Sequence, residues 1–352
     1  RHFAPTMLAW KRAVHRCCII ASPHLSLAQR SFSASRLTQS DVDFFRKEGY
    51  LAVENFFDDD EIRAIRAGLI KLKNMGRLAN VATDGDGVTH TKVPRNLQLC
   101  PLSPELPIFK SLPFNSKIKD AMSRLLHDDD LPQREQDICC YLSQTFWKPP
   151  RDGLGTGMHQ DNAYFLFEKP HFGTAFWIPV HKATKANGTL KVVKGFAKAQ
   201  DEELGTPLHH VRDGTSDHHI TCQELIDTAH KDDVVDIELD VGGVAFFNNN
   251  VPHATGPNDT DGPRAAVAYH FVNKHHFKER QFPLPEGTEY VAPIITGPNC
   301  SDGVNEYGYQ VGEQQWMRDM KEMLEEEQEI LAHQDEVAPV REVQQDRQTQ
   351  EV

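Results

Sequence analysis

The stretch Met158-His-Gln-Asp-Asn-Ala-Tyr-Phe165 carries a histidine and a carboxylate two positions apart within a strand-like run. Side chains at positions i and i+2 of a β-strand point to the same face, so His159 and Asp161 are expected to lie side by side. Neutral imidazole and carboxylate groups on one rigid element are typical ligands of a redox-active iron ion. The run therefore predicts two ligands of an iron site on a β-rich scaffold.

The H-x-D motif is weak evidence by itself, because a chain with 18 histidines is expected to contain such spacings by chance. The motif occurs four times, beginning at His127, His159, His230 and His333. The copies at His127, His230 and His333 lie in an acidic turn, a charged insertion and the C-terminal tail. Only the copy at His159 falls within a strand-like run, and we therefore select it as the candidate site.

A third ligand is expected from a distant strand, since a jelly roll brings sequence-remote strand ends together at its open mouth. The apolar run 244–248 is followed closely by His253, which makes this histidine the candidate. Eleven residues later, Arg264 opens another strand-like run. A buried guanidinium there could bind a dicarboxylate through paired hydrogen bonds. A solitary surface arginine is the alternative interpretation of Arg264 taken alone.

Hydrophobic spacing indicates a helical layer followed by many short strands. Helices are predicted from the capping sequence Leu37-Thr-Gln-Ser40, over residues 58–75 and over residues 116–127. Strand-like runs separated by turn signals are 138–147, 158–167, 174–180, 189–193, 234–239, 244–248 and 265–272. This order predicts an α+β, mainly β, fold in the form of a sandwich or jelly roll with flanking N-terminal helices.

Composition divides the chain into three parts. The first forty residues hold six basic side chains and no acidic one, and this Arg- and Ser-rich make-up is typical of an organellar transit peptide, with a disordered basic tail as the alternative. We predict a leader over residues 1–36, a catalytic domain over 37–312 and an exposed acidic helix with a disordered tail over 313–352. The polar, His-rich segment 195–233 is predicted to form a lid on the catalytic domain.

The charge balance and the cysteines exclude several classes of protein. The formal net charge is −13, and no Lys/Arg cluster indicates a nucleic-acid surface. The chain lacks the run of about 20 apolar residues that a membrane helix needs. Its seven cysteines include no C-x-x-C pair, so neither a disulfide framework nor a zinc ribbon fits, and we interpret them as reduced thiols.

Over residues 37–273 the chain resembles the phytanoyl-CoA dioxygenase family of iron(II)- and 2-oxoglutarate-dependent oxygenases. The resemblance rests on His159-Gln-Asp161 followed by Tyr164-Phe165, and on His253 with Arg264 eleven positions later. Other matching segments are Leu37-Thr-Gln, Gly49-Tyr-Leu-Ala-Val-Glu-Asn-Phe56, Lys148-Pro-Pro150, Asn187-Gly-Thr-Leu190 and Tyr269-His-Phe271. The resemblance implies a double-stranded β-helix, the cupin-like form of the jelly roll. The chain departs from the family at Val193-Lys-Gly-Phe196, where relatives often have Pro-Gly-Ser/Thr-His.

The resemblance implies a role for each matching residue. His159, Asp161 and His253 match the iron ligands, and Arg264 matches the arginine that binds the far carboxylate of 2-oxoglutarate. Further 2-oxoglutarate contacts are implied at Thr255, Trp177, Gln144 and Lys92. An ordinary core aromatic is the alternative interpretation of Trp177. We place the variable substrate pocket at Asn162, Tyr164 and the 195–233 insertion.

The implied activity is hydroxylation of a small-molecule or acyl substrate by dioxygen, with release of succinate and carbon dioxide. Iron(II) is the implied metal and 2-oxoglutarate the implied cosubstrate, and ascorbate is expected to support activity. A zinc-dependent cupin-type enzyme with the same ligands is one alternative, and a non-catalytic ligand-binding protein on the same fold is another. The leader predicts a mitochondrial location, with cytoplasmic and peroxisomal locations as alternatives.

Overall fold

Two antiparallel β-sheets pack against each other in a computed structural model of the chain, which describes residues 36–82, 91–196, 222, 226–227, 230–277 and 291–333. The strands are β1 Tyr50–Val53, β2 Ala79–Asn80, β3 Leu97–Leu99, β4 Ile138–Lys148, β5 Thr156–His159, β6 Gly173–Pro179, β7 Leu190–Val193, β8 Val234–Ile237, β9 Val244–Asn248, β10 His253–Thr255, β11 Arg264–Asn273 and β12 Ile294–Thr296. The larger sheet has the order β1-β9-β6-β11-β4-β3-β2, with β12 beside β4, and the smaller sheet has the order β5-β10-β7-β8.

Strand β11 shows how the larger sheet uses its two faces. Ala266 and Ala268 lie in the apolar cluster between the sheets, together with Met158 of the smaller sheet. The odd-numbered residues from 265 to 271 lie instead in a second core on the opposite face. Because successive side chains of a strand alternate, Arg264 and His270 at even-numbered positions face the space between the sheets.

Helices cover the outer face of the larger sheet, with the exception of the short helix that follows β5. The helices are α1 Gln39–Glu48, α2 Asp59–Asn74, α3 Pro107–Ser111, α4 Ser116–Leu125, α5 Asn162–Phe165, α6 Val304–Tyr307 and α7 Glu313–Ala332. Helices α1 and α2 each begin with a capping box, formed by Thr38 and Asp41 at α1 and by Asp58 and Glu61 at α2. In a capping box each of the two side chains accepts a hydrogen bond from a backbone N–H that has no partner within the helix. The predicted architecture, mainly β with an N-terminal helical layer, is confirmed.

The long helix α7 corrects the expectation of an exposed acidic helix. Trp316, Met323 and Ile330 recur every seven residues on one side of α7 and are buried in the outer core. Buried acidic side chains on the same side are also paired: Asp319 accepts a hydrogen bond from Ser111 Oγ at 2.6 Å, and Glu327 pairs with an arginine of α2. The helix therefore packs against α2 and α3 as part of the main core.

Replacing Trp316 with alanine tests this packing. The side chain is fully buried, so we expect a loss of about 3–5 kcal/mol in the free energy of unfolding, the usual range for removing a large buried aromatic. The matched control is the neighbouring Met317, which is half exposed; its replacement with alanine should change stability by no more than ~0.5 kcal/mol. Equal denaturant midpoints for the two variants would show that α7 is not part of the core.

Several expectations from sequence fall partly or wholly outside the described residues. The predicted leader lies there except for residue 36, as do most of the predicted lid and the chain beyond residue 333. The described cysteines are all free thiols, as predicted. None of the described helices combines the length and the apolar character that a membrane crossing requires.

Candidate metal centre and cosubstrate pocket

Two histidines come from neighbouring strands of the smaller sheet. In the antiparallel pairing of β5 with β10, His253 lies directly opposite His159, and the ring centroids are 4.2 Å apart. Each Nδ1 contacts a main-chain carbonyl two residues earlier, Gly157 O at 2.8 Å for His159 and Val251 O at 3.1 Å for His253. A carbonyl only accepts hydrogen bonds, so each Nδ1 carries the proton and each Nε2 keeps a lone pair for a metal.

The carboxylate reaches these histidines from a turn, which corrects the predicted strand that continued to Phe167. Strand β5 ends at His159, and Asp161 has helical backbone angles, φ −57° and ψ −34°, at the start of α5. The backbone N–H of Asn162 donates to Asn249 O at 2.8 Å, which ties the turn to the connection between β9 and β10. Because that connection also leads into the second histidine, one packed unit positions all three side chains.

One oxygen of Asp161 faces both imidazoles. Its Oδ1 lies 3.7 Å from Nε2 of His159 and 3.6 Å from Nε2 of His253. The three ligand atoms lie within 4.8 Å of one another, and among the residues that the structure describes this is the one group able to hold a metal ion. Two imidazoles and one carboxylate suit a divalent ion such as iron(II) or zinc. The assignment of these residues as iron ligands stays a prediction.

The electrostatics of Asp161 fit a bound cation. The side chain is buried, and its Oδ2 has no hydrogen-bond partner in the described part of the chain. Burial raises the pKa of Asp161, and the neighbouring His270 offsets this effect only in part. Since a buried carboxylate without a partner is costly, a metal ion between the three side chains would supply the missing positive charge.

Replacing Asp161 with asparagine should therefore stabilise the metal-free protein while it removes the carboxylate of the candidate metal site. Because burial raises the pKa of Asp161, its favourable contribution is present in acid and is lost as the pH rises through the folded-state pKa. At pH 7 we expect the free energy of unfolding of the variant to exceed that of the wild type by an amount on the order of 1 kcal/mol. The melting temperature of the variant should be correspondingly higher. The difference should shrink towards pH 4 when both proteins are melted with a chelator present. A less stable variant at pH 7 would contradict this account.

Arg264 is a buried cation with unused hydrogen-bonding groups. Its Nη2 donates to Gly188 O at 2.7 Å, whereas Nε and Nη1 are buried and have no partner among the described residues. The guanidinium carbon lies 5.8 Å from the ring centroid of Trp177. Burial lowers the pKa of Arg264 to about 9. A carboxylate entering between the sheets would satisfy both nitrogens and the charge, so the site fits a dicarboxylate.

The other predicted contacts to 2-oxoglutarate, Thr255, Gln144 and Lys92, do not all lie at the site. Thr255 ends β10, and its Oγ1 accepts a hydrogen bond from Thr156 N–H at 3.2 Å. Gln144 faces the space between the sheets, with its Nε2 at 3.1 Å from Nε2 of His270. Lys92 is exposed, and no described hydrogen bond or ion pair joins it to the other residues of the site. The structure therefore gives no support to Lys92 as a cosubstrate contact.

The two residues predicted to line the substrate pocket differ in their exposure. Tyr164 on α5 is 39% exposed, and its ring centroid lies 6.1 Å from that of His159, which places it at the edge of the metal centre. Asn162 is buried, and its amide bonds both the N–H and the carbonyl of Phe167, at 2.8 and 3.1 Å. Asn162 therefore shapes the turn after Asp161, and its expected place in the substrate pocket stays a prediction.

Sequence reasoning missed His270 as part of the site. The segment Tyr269-His-Phe271 supported the resemblance, but its histidine received no role. The structure buries His270 with Nδ1 at 3.6 Å from Oδ2 of Asp161. The signal was present in the sequence, because His270 is an even number of positions from Arg264 on one strand and so shares its face.

Comparison with known proteins agrees with this geometry. The sequence profile described as phytanoyl-CoA dioxygenase (PhyH) matches residues 45–266, which include the three candidate ligands and Arg264. The chain belongs to the phytanoyl-CoA dioxygenase family. One relative, named phytanoyl-CoA dioxygenase, from Arabidopsis thaliana, is 24% identical over 270 residues, covering 67% of this chain and 89% of its own.

Solved structures outside the named phytanoyl-CoA dioxygenases share the fold. The non-heme alpha-ketoglutarate-dependent carbocyclase SnoK from nogalamycin biosynthesis matches with a TM-score of 0.55 and 18% identity, over 78% of this chain and 92% of SnoK. EctD from S. alaskensis, solved with 2-oxoglutarate and 5-hydroxyectoine, matches with a TM-score of 0.51 and 18% identity, over 73% of this chain and 85% of EctD. The predicted double-stranded β-helix of the phytanoyl-CoA dioxygenase family is thus confirmed.

Proposed function

We propose that the protein is an iron(II)- and 2-oxoglutarate-dependent dioxygenase that hydroxylates a small-molecule or acyl substrate. The observation that carries this proposal is the buried Arg264 guanidinium, with two nitrogens unpartnered among the described residues, in the same space between the sheets as a three-residue metal cluster. A metal cluster alone suits several enzyme classes, whereas a carboxylate anchor in the same space favours use of 2-oxoglutarate.

Each side chain has a defined task in this proposal. His159, Asp161 and His253 would hold the metal from one side of the cluster and leave its remaining positions to small molecules. Arg264 would bind the far carboxylate of 2-oxoglutarate through paired hydrogen bonds, and Trp177 would form the wall beside it. Bound iron(II) and 2-oxoglutarate together supply the oxidising chemistry that turns a C–H bond and dioxygen into an alcohol, succinate and carbon dioxide.

Anaerobic titration with iron(II) followed by 2-oxoglutarate tests the proposal against its two rivals. We expect a weak visible charge-transfer band when 2-oxoglutarate is added to the iron-loaded protein. A zinc-dependent cupin-type enzyme has no need of a dicarboxylate anchor, and a non-catalytic binding protein would not consume the cosubstrate. Absence of the band, together with tight zinc binding, would favour the zinc enzyme. A band without any succinate release across many substrates would favour the binding protein.

A metabolite-library screen identifies the substrate. The purified protein is incubated with iron(II), 2-oxoglutarate and ascorbate, and succinate release is scored for each compound, with acyl derivatives included. We place the contacts that select the substrate near Tyr164, which borders the metal centre and is partly exposed. Compounds that raise succinate release should also protect Tyr164 from chemical modification.

The cellular location is a separate proposal. We propose that residues 1–36 direct the chain into mitochondria, because a basic, Ser-rich and acid-free leader is drawn towards a negative interior. A fluorescent fusion of the full chain should localise to mitochondria, and a fusion that starts at residue 37 should not. Peroxisomal or cytoplasmic fluorescence of the full-length fusion would reject the proposal.

A further inference from the structure

We propose that His270 is a positioning residue that orients Asp161 by donating a hydrogen bond from Nδ1 to Oδ2, in a tautomer fixed by Gln144. The inference rests on the proposed function only in requiring that Asp161 holds a metal ion. It assigns a purpose to the buried His270 and the half-buried Gln144, which lie behind the metal cluster.

The two oxygens of Asp161 face different neighbours. Oδ1 faces Nε2 of His159 and of His253 at 3.7 and 3.6 Å, whereas Oδ2 faces Nδ1 of His270 at 3.6 Å. Both Oδ2 and Nδ1 of His270 are buried and have no hydrogen-bond partner among the described residues. Each atom is thus the nearest candidate partner of the other, and a small rotation of the carboxylate would bring them to hydrogen-bond distance.

The opposite edge of the His270 ring indicates which nitrogen carries the proton. Nε2 of His270 lies 3.1 Å from the side-chain nitrogen of Gln144. An amide NH₂ group only donates, so Nε2 must accept, and in the neutral ring the proton then sits on Nδ1. A ring whose Nε2 accepts a hydrogen bond carries its single proton on Nδ1 and is therefore neutral. Gln144 therefore holds His270 in the tautomer whose Nδ1–H can donate to Asp161.

Aromatic packing keeps the ring in this orientation. Tyr141 lies 5.9 Å from His270 between centroids, and Phe165 lies 5.6 Å away in an edge-to-face arrangement. Tyr141 is itself held by Asn249, whose amide donates to the phenol oxygen at 3.0 Å. A ring flip would exchange Nδ1 for a carbon and would require these side chains to move.

The consequence is a carboxylate that offers one oxygen to the metal. With Oδ2 bound to His270, only Oδ1 is left to coordinate, and the position that a bidentate carboxylate would occupy stays available to small molecules. Partners that orient a metal ligand typically contribute about 10–100-fold in metal affinity or activity. This places Gln144 behind Asp161, which differs from its predicted direct contact with 2-oxoglutarate.

The test measures cobalt(II) affinity by visible titration of the metal-free protein, so that it does not depend on turnover. We expect His270→Leu to weaken cobalt binding by about 10–100-fold and His270→Asn, whose amide nitrogen lies close to the position of Nδ1, to restore most of the loss. Gln144→Leu should weaken binding to a smaller extent and should add nothing in the His270→Leu background. The matched control is His276→Leu, because His276 bonds Asp128 at 2.8 Å in a His–Asp pair outside the cluster.

A second measurement reads the tautomer directly. Long-range ¹H–¹⁵N spectra of the wild type should show His270 with a protonated Nδ1, assigned by its absence in His270→Leu, and Gln144→Leu should populate the other tautomer. Wild-type cobalt affinity in both His270→Leu and Gln144→Leu, or a protonated Nε2 in the wild type, would overturn the inference. Failure of the wild type to bind cobalt or to release succinate would instead reject the proposed function. If His270→Leu does not fold, Gln144→Leu and the spectra still decide.

Discussion

Replacing His159 with alanine is expected to abolish both metal binding and succinate release. The imidazole supplies one of three ligand atoms that lie within 4.8 Å of one another, and its loss leaves only two protein ligands. The effect should exceed the ~10–100-fold range typical of residues that merely orient a ligand. Cobalt titration of the metal-free protein and a succinate assay with an identified substrate measure the two losses independently.

The control for this variant is His127→Ala, which removes the first residue of another H-x-D motif. His127 lies on the surface, with Nε2 at 3.5 Å from the carboxylate of Asp129. Its replacement should leave cobalt affinity and turnover unchanged, because surface ion pairs contribute little. Wild-type turnover in His159→Ala would reject the assignment of the metal cluster.

Replacing Arg264 with methionine should have the second-largest effect, and the effect should fall on 2-oxoglutarate. Losing one partner of a buried, hydrogen-bonded charge pair costs at least about 2 kcal/mol, which corresponds to a rise of about 30-fold or more in the dissociation constant. Cobalt affinity without 2-oxoglutarate should stay at the wild-type value. Isothermal titration of the cobalt-loaded protein with 2-oxoglutarate measures the change.

For the same variant we expect no loss of stability in the absence of ligand, although a buried side chain is replaced. The guanidinium is fully buried with only one described hydrogen bond, from Nη2 to Gly188 O, so methionine removes a poorly compensated charge and keeps most of the volume. The melting temperature without ligand should not fall, while the stabilisation that 2-oxoglutarate gives to the wild type should disappear. Arg151→Met at an exposed ion pair is the control. Unchanged stabilisation by 2-oxoglutarate in Arg264→Met would contradict the proposed anchor.

The grouping of His159, Asp161 and His253 was predictable from the sequence, although part of the reasoning was wrong. The alternation of a strand was expected to bring Asp161 beside His159, but the strand ends at the histidine and Asp161 has helical backbone angles. The side chains still meet, because a turn bonded to Asn249 redirects the chain. That bond joins segments far apart in the sequence, and no local pattern reveals it.

Helix α7 and His270 show two different reasons for a missed feature. The acidic composition of α7 suggested a solvated helix, although the seven-residue repeat of Trp316, Met323 and Ile330 was already a burial signal. Two of its acidic residues, Asp319 and Glu327, are buried and are paired with side chains on α3 and α2. For His270 the face was predictable from its spacing to Arg264, but the neighbour on that face depends on how the two sheets pack.

Strand β11 fixes the distance between two residues of the proposed site. Arg264 begins it and His270 follows six residues later, a separation of about 20 Å along an extended strand. A single inserted residue between them would turn one of the two away from the site while leaving the other in place, since neighbouring positions face opposite sides. During divergence, the residues between Arg264 and His270 should therefore be substituted more easily than one of them is inserted or deleted. Natural insertions should accumulate instead in the loops beyond the ends of this strand.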